Sequence, residues 1–218
     1  MSFFGMGANR KILDLRDVLA ERFLQPPIRT SGRLITGITA LDQATEGGLG
    51  KGQITEISSA QPSAGSALLI HSLLQWARRD RSFIALIDGC DSFDVQTAGP
   101  GALRHLFWVR CRKAAEAIKA SDFLLRDGNF PLVILDLILN PPEELRRIPQ
   151  TSWYRLQRLV EAAPSAFLVM SRHNLVSSAH TKIVLNNQWT LSDLSREEPL
   201  SQLRLTVRRA QGQISALG

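Results

Sequence analysis

Ser58-Ser59-Ala60-Gln61-Pro62-Ser63-Ala64-Gly65-Ser66-Ala67-Leu68 has the frame of a phosphate-binding loop but lacks the side chains that grip a phosphate. A working loop reads G-x-x-x-x-G-K-[ST]: backbone N–H groups cradle the phosphates, the lysine reaches the β/γ oxygens and the hydroxyl holds Mg²⁺. Here those four positions are Ala60, Gly65, Ser66 and Ala67, so only the second glycine survives. Losing the lysine removes a charge-assisted contact of about 1.5–3 kcal/mol, and losing the hydroxyl removes a magnesium ligand of comparable value. At about 1.4 kcal/mol per factor of ten, nucleotide affinity falls by orders of magnitude. Sliding the frame by one residue places Gly65 where lysine belongs, and the nearest upstream ammonium, Lys51, sits on a Gly50–Gly52 turn. No cofactor is therefore expected. Weak ATP binding at the degenerate loop (Ala60, Ser63, Ala64, Gly65, Ser66, Ala67) stays open, because a helix N-terminus at Gly65 and Ser66 is still a positive dipole end.

Working outward, strand-like and helix-like segments alternate. Residues 53–58, 83–88, 106–109, 132–139 and 166–170 read as short, mostly buried strands. Residues 66–79, 112–126 and 153–162 read as helices, the first with Leu69, Ile70, Leu73, Leu74 and Ala77 on one face and the second closed by Gly128. This alternation predicts an α/β fold: a mainly parallel sheet with helices on both faces. Residues 183–191 and 203–209, joined through a polar 192–201 loop, predict an antiparallel C-terminal hairpin on one edge. Ahead of the core (31–218), residues 1–30 predict an arm: Ile12, Leu15, Leu19 and Phe23 recur at helical spacing, and Gln25-Pro26-Pro27 ends that N-terminal helix and begins a linker.

Composition narrows the class. With 218 residues and 44% hydrophobic content, the chain has enough material for one well-buried domain with a short appendage. A net charge of +6 and a pI near 10.0 favour an acidic partner such as nucleic acid, although solubility alone accounts for a modest excess. Cys90 and Cys111 lack metal-type spacing and no secretory leader precedes them, so reduced thiols in a cytoplasmic protein are expected, with no zinc site. No apolar stretch approaches a membrane span, so no membrane partner is expected.

Three features in fixed order carry a family resemblance. Thr36-Gly37-Ile38-Thr39-Ala40-Leu41-Asp42, followed by Gly47-Gly48-Leu49-Gly50-Lys51-Gly52-Gln53-Ile54-Thr55-Glu56-Ile57, resembles the entry to the ATPase core of RecA recombinases. The degenerate loop then falls where that family keeps its phosphate loop, and Ile87-Asp88-Gly89-Cys90-Asp91-Ser92-Phe93-Asp94 resembles the next strand end. Within that superfamily, His105-Leu106-Phe107-Trp108-Val109-Arg110-Cys111-Arg112-Lys113-Ala114-Ala115-Glu116-Ala117 and Leu203-Arg204-Leu205-Thr206-Val207-Arg208-Arg209 resemble ImuA proteins. The resemblance implies a RecA-like P-loop core over residues 31–209. It also implies an accessory role in the bacterial DNA-damage (SOS) response and translesion synthesis, beside a Y-family polymerase homologue as partner.

The same resemblance implies where catalysis fails. The water-activating glutamate of RecA-type enzymes lies two residues past the strand aspartate; with Asp88 as that aspartate, its place is taken by Cys90, and a thiol cannot serve as the carboxylate base. Asp91, one step on, substitutes only if the strand end shifts. Asp136 matches the acid that supports Mg²⁺ in such folds, and is equally a common loop organiser. Cys90 and Asp136 are thus expected as vestiges. RecA-type enzymes bind DNA through two mobile loops; here the first, Asn140-Pro141-Pro142-Glu143-Glu144, is stiff and acidic, and the second spans only residues 171–180.

Positive charge gathers elsewhere, in Arg78-Arg79-Arg81, Arg110-Arg112-Lys113, Arg146-Arg147, Arg155-Arg158 and Arg208-Arg209. These are solvated helix ends, or, if several line one side of the sheet, a sequence-independent phosphate track. The expected DNA or partner surface comprises Arg110, Arg112, Lys113, Arg146, Arg147, Arg172, Lys182, Arg208 and Arg209. Trp108, Trp153, Tyr154 and Trp189 are either packed or available to stack on bases. The leading expectation is a non-catalytic accessory protein, with self-association open. The alternatives are a DNA-dependent ATPase or recombinase with an atypical nucleotide site and a simple DNA-binding module.

Overall fold

Ile84–Asp88 is buried at every position, as a strand covered by helices on both sides must be. It is β4 of a mostly parallel sheet in a computed structural model that describes residues 32–61, 64–187 and 203–208. The expected N-terminal arm, Ser63, Trp189, the 192–201 loop and Arg209 lie outside the described residues.

The chain enters through a two-stranded ribbon, β1 (Arg33–Leu34) against β2 (Leu49–Gly50), with the short helix α1 (Thr39–Ala44) between them. The Asp42 carboxylate fixes the turn before α1 by accepting from the backbone N–H of Thr36 and of Gly37 and from the Thr36 hydroxyl, at 2.7–3.0 Å. There follow β3 (Ile54–Ser58), α2 (Ser66–Arg79), β4, the single-turn helices α3 (Val95–Ala98) and α4 (Pro100–Leu103), and β5 (Leu106–Arg110). The chain continues through α5 (Ala114–Asp127), β6 (Leu132–Asp136), α6 (Pro142–Arg146), α7 (Gln150–Glu161), β7 (Ala166–Ser171), β8 (Thr181–Leu185) and β9 (Leu205–Arg208).

The seven long strands run in the order β5-β4-β6-β7-β3-β8-β9. Every pairing is parallel except β8 with β9. The C-terminal antiparallel hairpin is thus present, but it joins the sheet through β8, which runs parallel to β3 (Thr55↔Thr181 to Ser58↔Val184). Both strands are shorter than the alternation suggested, and β6 stops at Asp136 rather than Leu139 because the Asp136 carboxylate takes the Ile138 N–H and turns the chain.

Alternate residues of each parallel strand feed two core layers. Ile57, Leu86, Ile134, Leu168 and Ile183 pack under α2 with Leu69, Leu73 and Leu74. Ile87, Val133, Leu135 and Val169 pack on the opposite side with α5 and α7 residues such as Leu124, Trp153 and Leu156. Each such fully buried side chain contributes about 1.5–3 kcal/mol of transfer free energy. The helix face expected for α2 is therefore the buried one, and Trp153 is a core residue rather than a stacking platform.

Candidate functional site

β3 carries the degenerate loop to the sheet's C-terminal edge, the edge where open parallel sheets hold ligands. Ser59 continues the strand by donating its N–H to the Ser171 carbonyl (2.9 Å), and its hydroxyl closes the turn on the Gln61 carbonyl (2.7 Å). Ala64 is buried, Ala60 is exposed, and Gly65 caps α2 in the left-handed region (φ 101°), a conformation that a side chain would strain. Ser66 and Ala67 open α2 and supply neither an ammonium nor a magnesium ligand.

The neighbouring strand ends keep their carboxylates. Asp88 and Asp136 are register partners on β4 and β6, and both side chains project to the α2 side of the sheet. Asp88 is buried and ties down the following loop: it accepts from the Ser92 and Phe93 N–H groups at 2.8 Å, and from the Cys90 N–H and the Ser92 hydroxyl at 3.3 Å. Asp136 is partly exposed; burial pushes its pKa up to about 6, opposed by the Ile138 N–H bond and reinforced by the Asp88 charge.

Asn140 ties down the residue after Asp88, on the Leu137 side of the sheet rather than on the face of the two carboxylates. It is buried, donates to the Gly89 carbonyl at 2.8 Å, and lies so close that a β-carbon on Gly89 would stand 2.3 Å from its Oδ1 and 2.8 Å from the Asp136 carbonyl oxygen. Cys90, where the activating carboxylate would stand, is a partly buried free thiol in the loop that Asp88 organises.

The loops after β6 and β7, whose composition and length did not suit DNA contact, are tied to the core. Glu144, at the acidic tip of the first, turns inward and accepts from the Ala114 N–H at 2.9 Å, which caps α5. The loop after β7 is held by Glu56, a fully buried carboxylate in mid-β3 that accepts from the Leu175 and Val176 N–H groups at 2.5 and 3.0 Å. Burial raises the Glu56 pKa, while those two bonds and Lys182, whose Nζ is 3.7 Å from Oε2, oppose the rise. Arg172 adds a third tie, donating to the Ile138 carbonyl at 3.0 Å.

The basic residues divide accordingly. Arg172 is partly buried and bonded, and Lys182 faces Glu56 on one side in register and Arg208 on the other. Arg110 lies 5.0 Å over the Trp108 ring and makes a two-pronged pair with Asp91 (2.6 and 2.7 Å), which holds the Asp91 carboxyl below the usual range. Arg112, Lys113, Arg146 and Arg147 are exposed, and the Glu144 bond sets α6 against the start of α5, bringing these two pairs to one corner. Trp108 is partly buried beside Phe93 (5.6 Å, edge-on), while Tyr154 is exposed.

Glu56 and Asn140 are the site residues that sequence reasoning passed over. An acid inside the apolar run Ile54-Thr55-Glu56-Ile57 is the signal that points to the first; nothing local points to the second. Among the described residues no group of three or more His, Cys, Asp or Glu side chains is placed to hold a metal, and no helix is long and apolar enough to cross a membrane. Compared with protein-family models and with curated proteins, the chain matches none.

Proposed function

We propose that this chain is a RecA-like core without nucleotide hydrolysis, acting as an ImuA-type accessory protein that binds a polymerase-type partner in bacterial translesion synthesis. The observation that carries the reading is the state of the strand-end crevice. Gly65 turns the chain into α2 in a left-handed conformation, Ser66 and Ala67 stand where the gripping residues of a phosphate loop would be, and Asp88 is spent on the backbone of its own loop. The tied loops after β6 and β7 further support a protein that does not exchange DNA strands, since a DNA-gripping loop must move. A protein of this kind works by binding, and its outer strands β5 and β9, each with one unpaired edge among the described residues, suit augmentation by another chain.

Two measurements test the reading. Titration with Mg-ATP is expected to show no tight binding and no turnover with DNA present, whereas Ser66→Lys with Ala67→Thr regains about 100-fold or more in affinity. Turnover by the unaltered protein that disappears in Asp136→Ala overturns the proposal in favour of an atypical ATPase. Mixing with a Y-family polymerase homologue encoded beside it is expected to give a complex on size exclusion, weakened by deleting 203–218 or 11–24. Absence of any complex removes the accessory role.

A further inference from the structure

We propose that the connections entering β4 and β5 form a nucleic-acid backbone site, at the end of the sheet opposite the degenerate loop. Arg78 and Arg79 close α2, Arg81 follows in the link to β4, and Arg104 precedes β5. β4 and β5 are parallel and in register from Ile84↔Leu106, and the Ile84 N–H bonds the His105 carbonyl at 3.0 Å. The two links therefore run side by side at about the 4.8 Å strand spacing. Arg78 is close to the second link as well: a β-carbon on Gly101 would lie 3.4 Å from its guanidinium carbon. Arg78, Arg81 and Arg104 thus stand on adjoining chain segments, with Arg79 next to them on α2 but its guanidinium turned toward Gly37, 3.5 Å from where a β-carbon would stand; all four residues are exposed.

Nothing among the described residues neutralises them. None takes part in an ion pair, and Asp80, the acid inside the cluster, accepts instead from the Ser82 hydroxyl at 2.7 Å. The helix dipole accounts for cations in the last turn of α2; Arg81 lies beyond that turn, and Arg104 caps only the four-residue α4. The cations are all arginine, whose planar fork matches a phosphate bidentately. Among the described residues the exposed large apolar side chains are Ile35, Leu139, Tyr154 and Val207, none of them on the links into β4 and β5, so those links lack the apolar or aromatic anchor of a protein-binding hot spot. Cations without an apolar anchor fit a polyanion backbone, read without regard to sequence. This inference stands apart from the accessory-protein reading, since a protein that hydrolysed ATP could carry the same patch.

The test is fluorescence anisotropy with a labelled oligonucleotide, single-stranded and duplex, over a salt series. The unaltered protein is expected to bind at low salt with log K falling against log salt at a slope of about −2 to −4. Arg78→Ala, Arg79→Ala, Arg104→Ala and Arg81→Asn together, asparagine being chosen because residue 81 sits at φ 53°, are expected to lose at least about 10-fold in affinity and two to three units of slope. The four-lysine variant keeps the slope with a smaller loss, and Arg155→Ala with Arg158→Ala on α7 changes neither. Should the quadruple variant unfold, Arg104→Glu alone, outside any helix, carries the same comparison. Equal affinity and slope in the variant overturn the site, as does absence of DNA binding at low salt. Arginine-dependent binding of polyglutamate without DNA binding reassigns the patch to an acidic protein and also overturns it.

Discussion

The ends of β3 and of the β4–β6 pair lie on one edge of one sheet, yet they differ in what they hold ready for a ligand. At β3 a glycine turn leads into a helix without gripping side chains: Gly65 turns the chain into α2, but Ser66 and Ala67 offer neither ammonium nor magnesium ligand. At β4 and β6 the carboxylates are present but Asp88 is committed to holding its own loop, which Asn140 secures through Gly89 from the other face of the sheet. Two substitutions would add the absent side chains at β3, whereas freeing Asp88 for a ligand would unfasten the loop it holds.

The largest effect expected from attacking this contrast lies inside β3, at the acid that ties the loop after β7. Glu56→Ala strands the Leu175 and Val176 N–H groups and leaves Lys182 beside an apolar hole, and removing one partner of a buried pair costs about 3–5 kcal/mol. Glu56→Gln, which keeps an acceptor, should cost less. Urea denaturation measures both, and hydrogen exchange should show residues 172–180 opening first. An unchanged midpoint for Glu56→Ala would mean that the loop is held by something else.

A smaller effect is expected where Asn140 packs against Gly89. Gly89→Ala drives a methyl group into Asn140 and the Asp136 carbonyl, an overpacking cost of about 1–3 kcal/mol. Adding Asn140→Ala should recover part of that loss, because it removes the side chain that clashes, so the two changes are non-additive by a fraction of a kcal/mol or more. Strict additivity in a double-mutant cycle would show that Asn140 does not limit the room at Gly89.

How much of this was legible depended on the range of the interaction. The span of α2 was readable to the residue, since five apolar residues at helical spacing follow a glycine turn, and the buried strands β4 and β7 were readable from continuous apolar runs. The parallel pairing of β8 was not, because Thr181–Leu185 reads the same whichever way its neighbour runs, and β3 decides it from more than a hundred residues away. The single-turn helices α3, α4 and α6 are shorter than any period that marks a helix. At the site, the missing lysine and hydroxyl were visible in the motif itself. The uses to which Asp88, Glu144 and Asn140 are put were not, since each contacts a partner that sequence distance hides or that only a folded loop supplies.

Asp136 gives the smallest effect and the finest test, because it asks whether the β6 end still carries a charge that the fold would do better without. Its folded pKa of about 6 lies above the unfolded carboxylate value of 3.8, so the folded state holds the proton more tightly. The stabilisation from that proton is full below about pH 4 and is lost as pH rises through 6, above which the buried charge is a net cost. Asp136→Asn removes the charge and keeps an acceptor for the Ile138 N–H. It should therefore stabilise the protein by on the order of 1–2 kcal/mol at pH 7–8, part of the full shift being relieved by solvent at the exposed edge of the carboxyl. The advantage should fade to nothing by about pH 4. Thermal melts across that range decide it: a pH-independent gain would trace to packing, and a loss at pH 7 would mean that the ionised carboxylate has a favourable partner at the crevice.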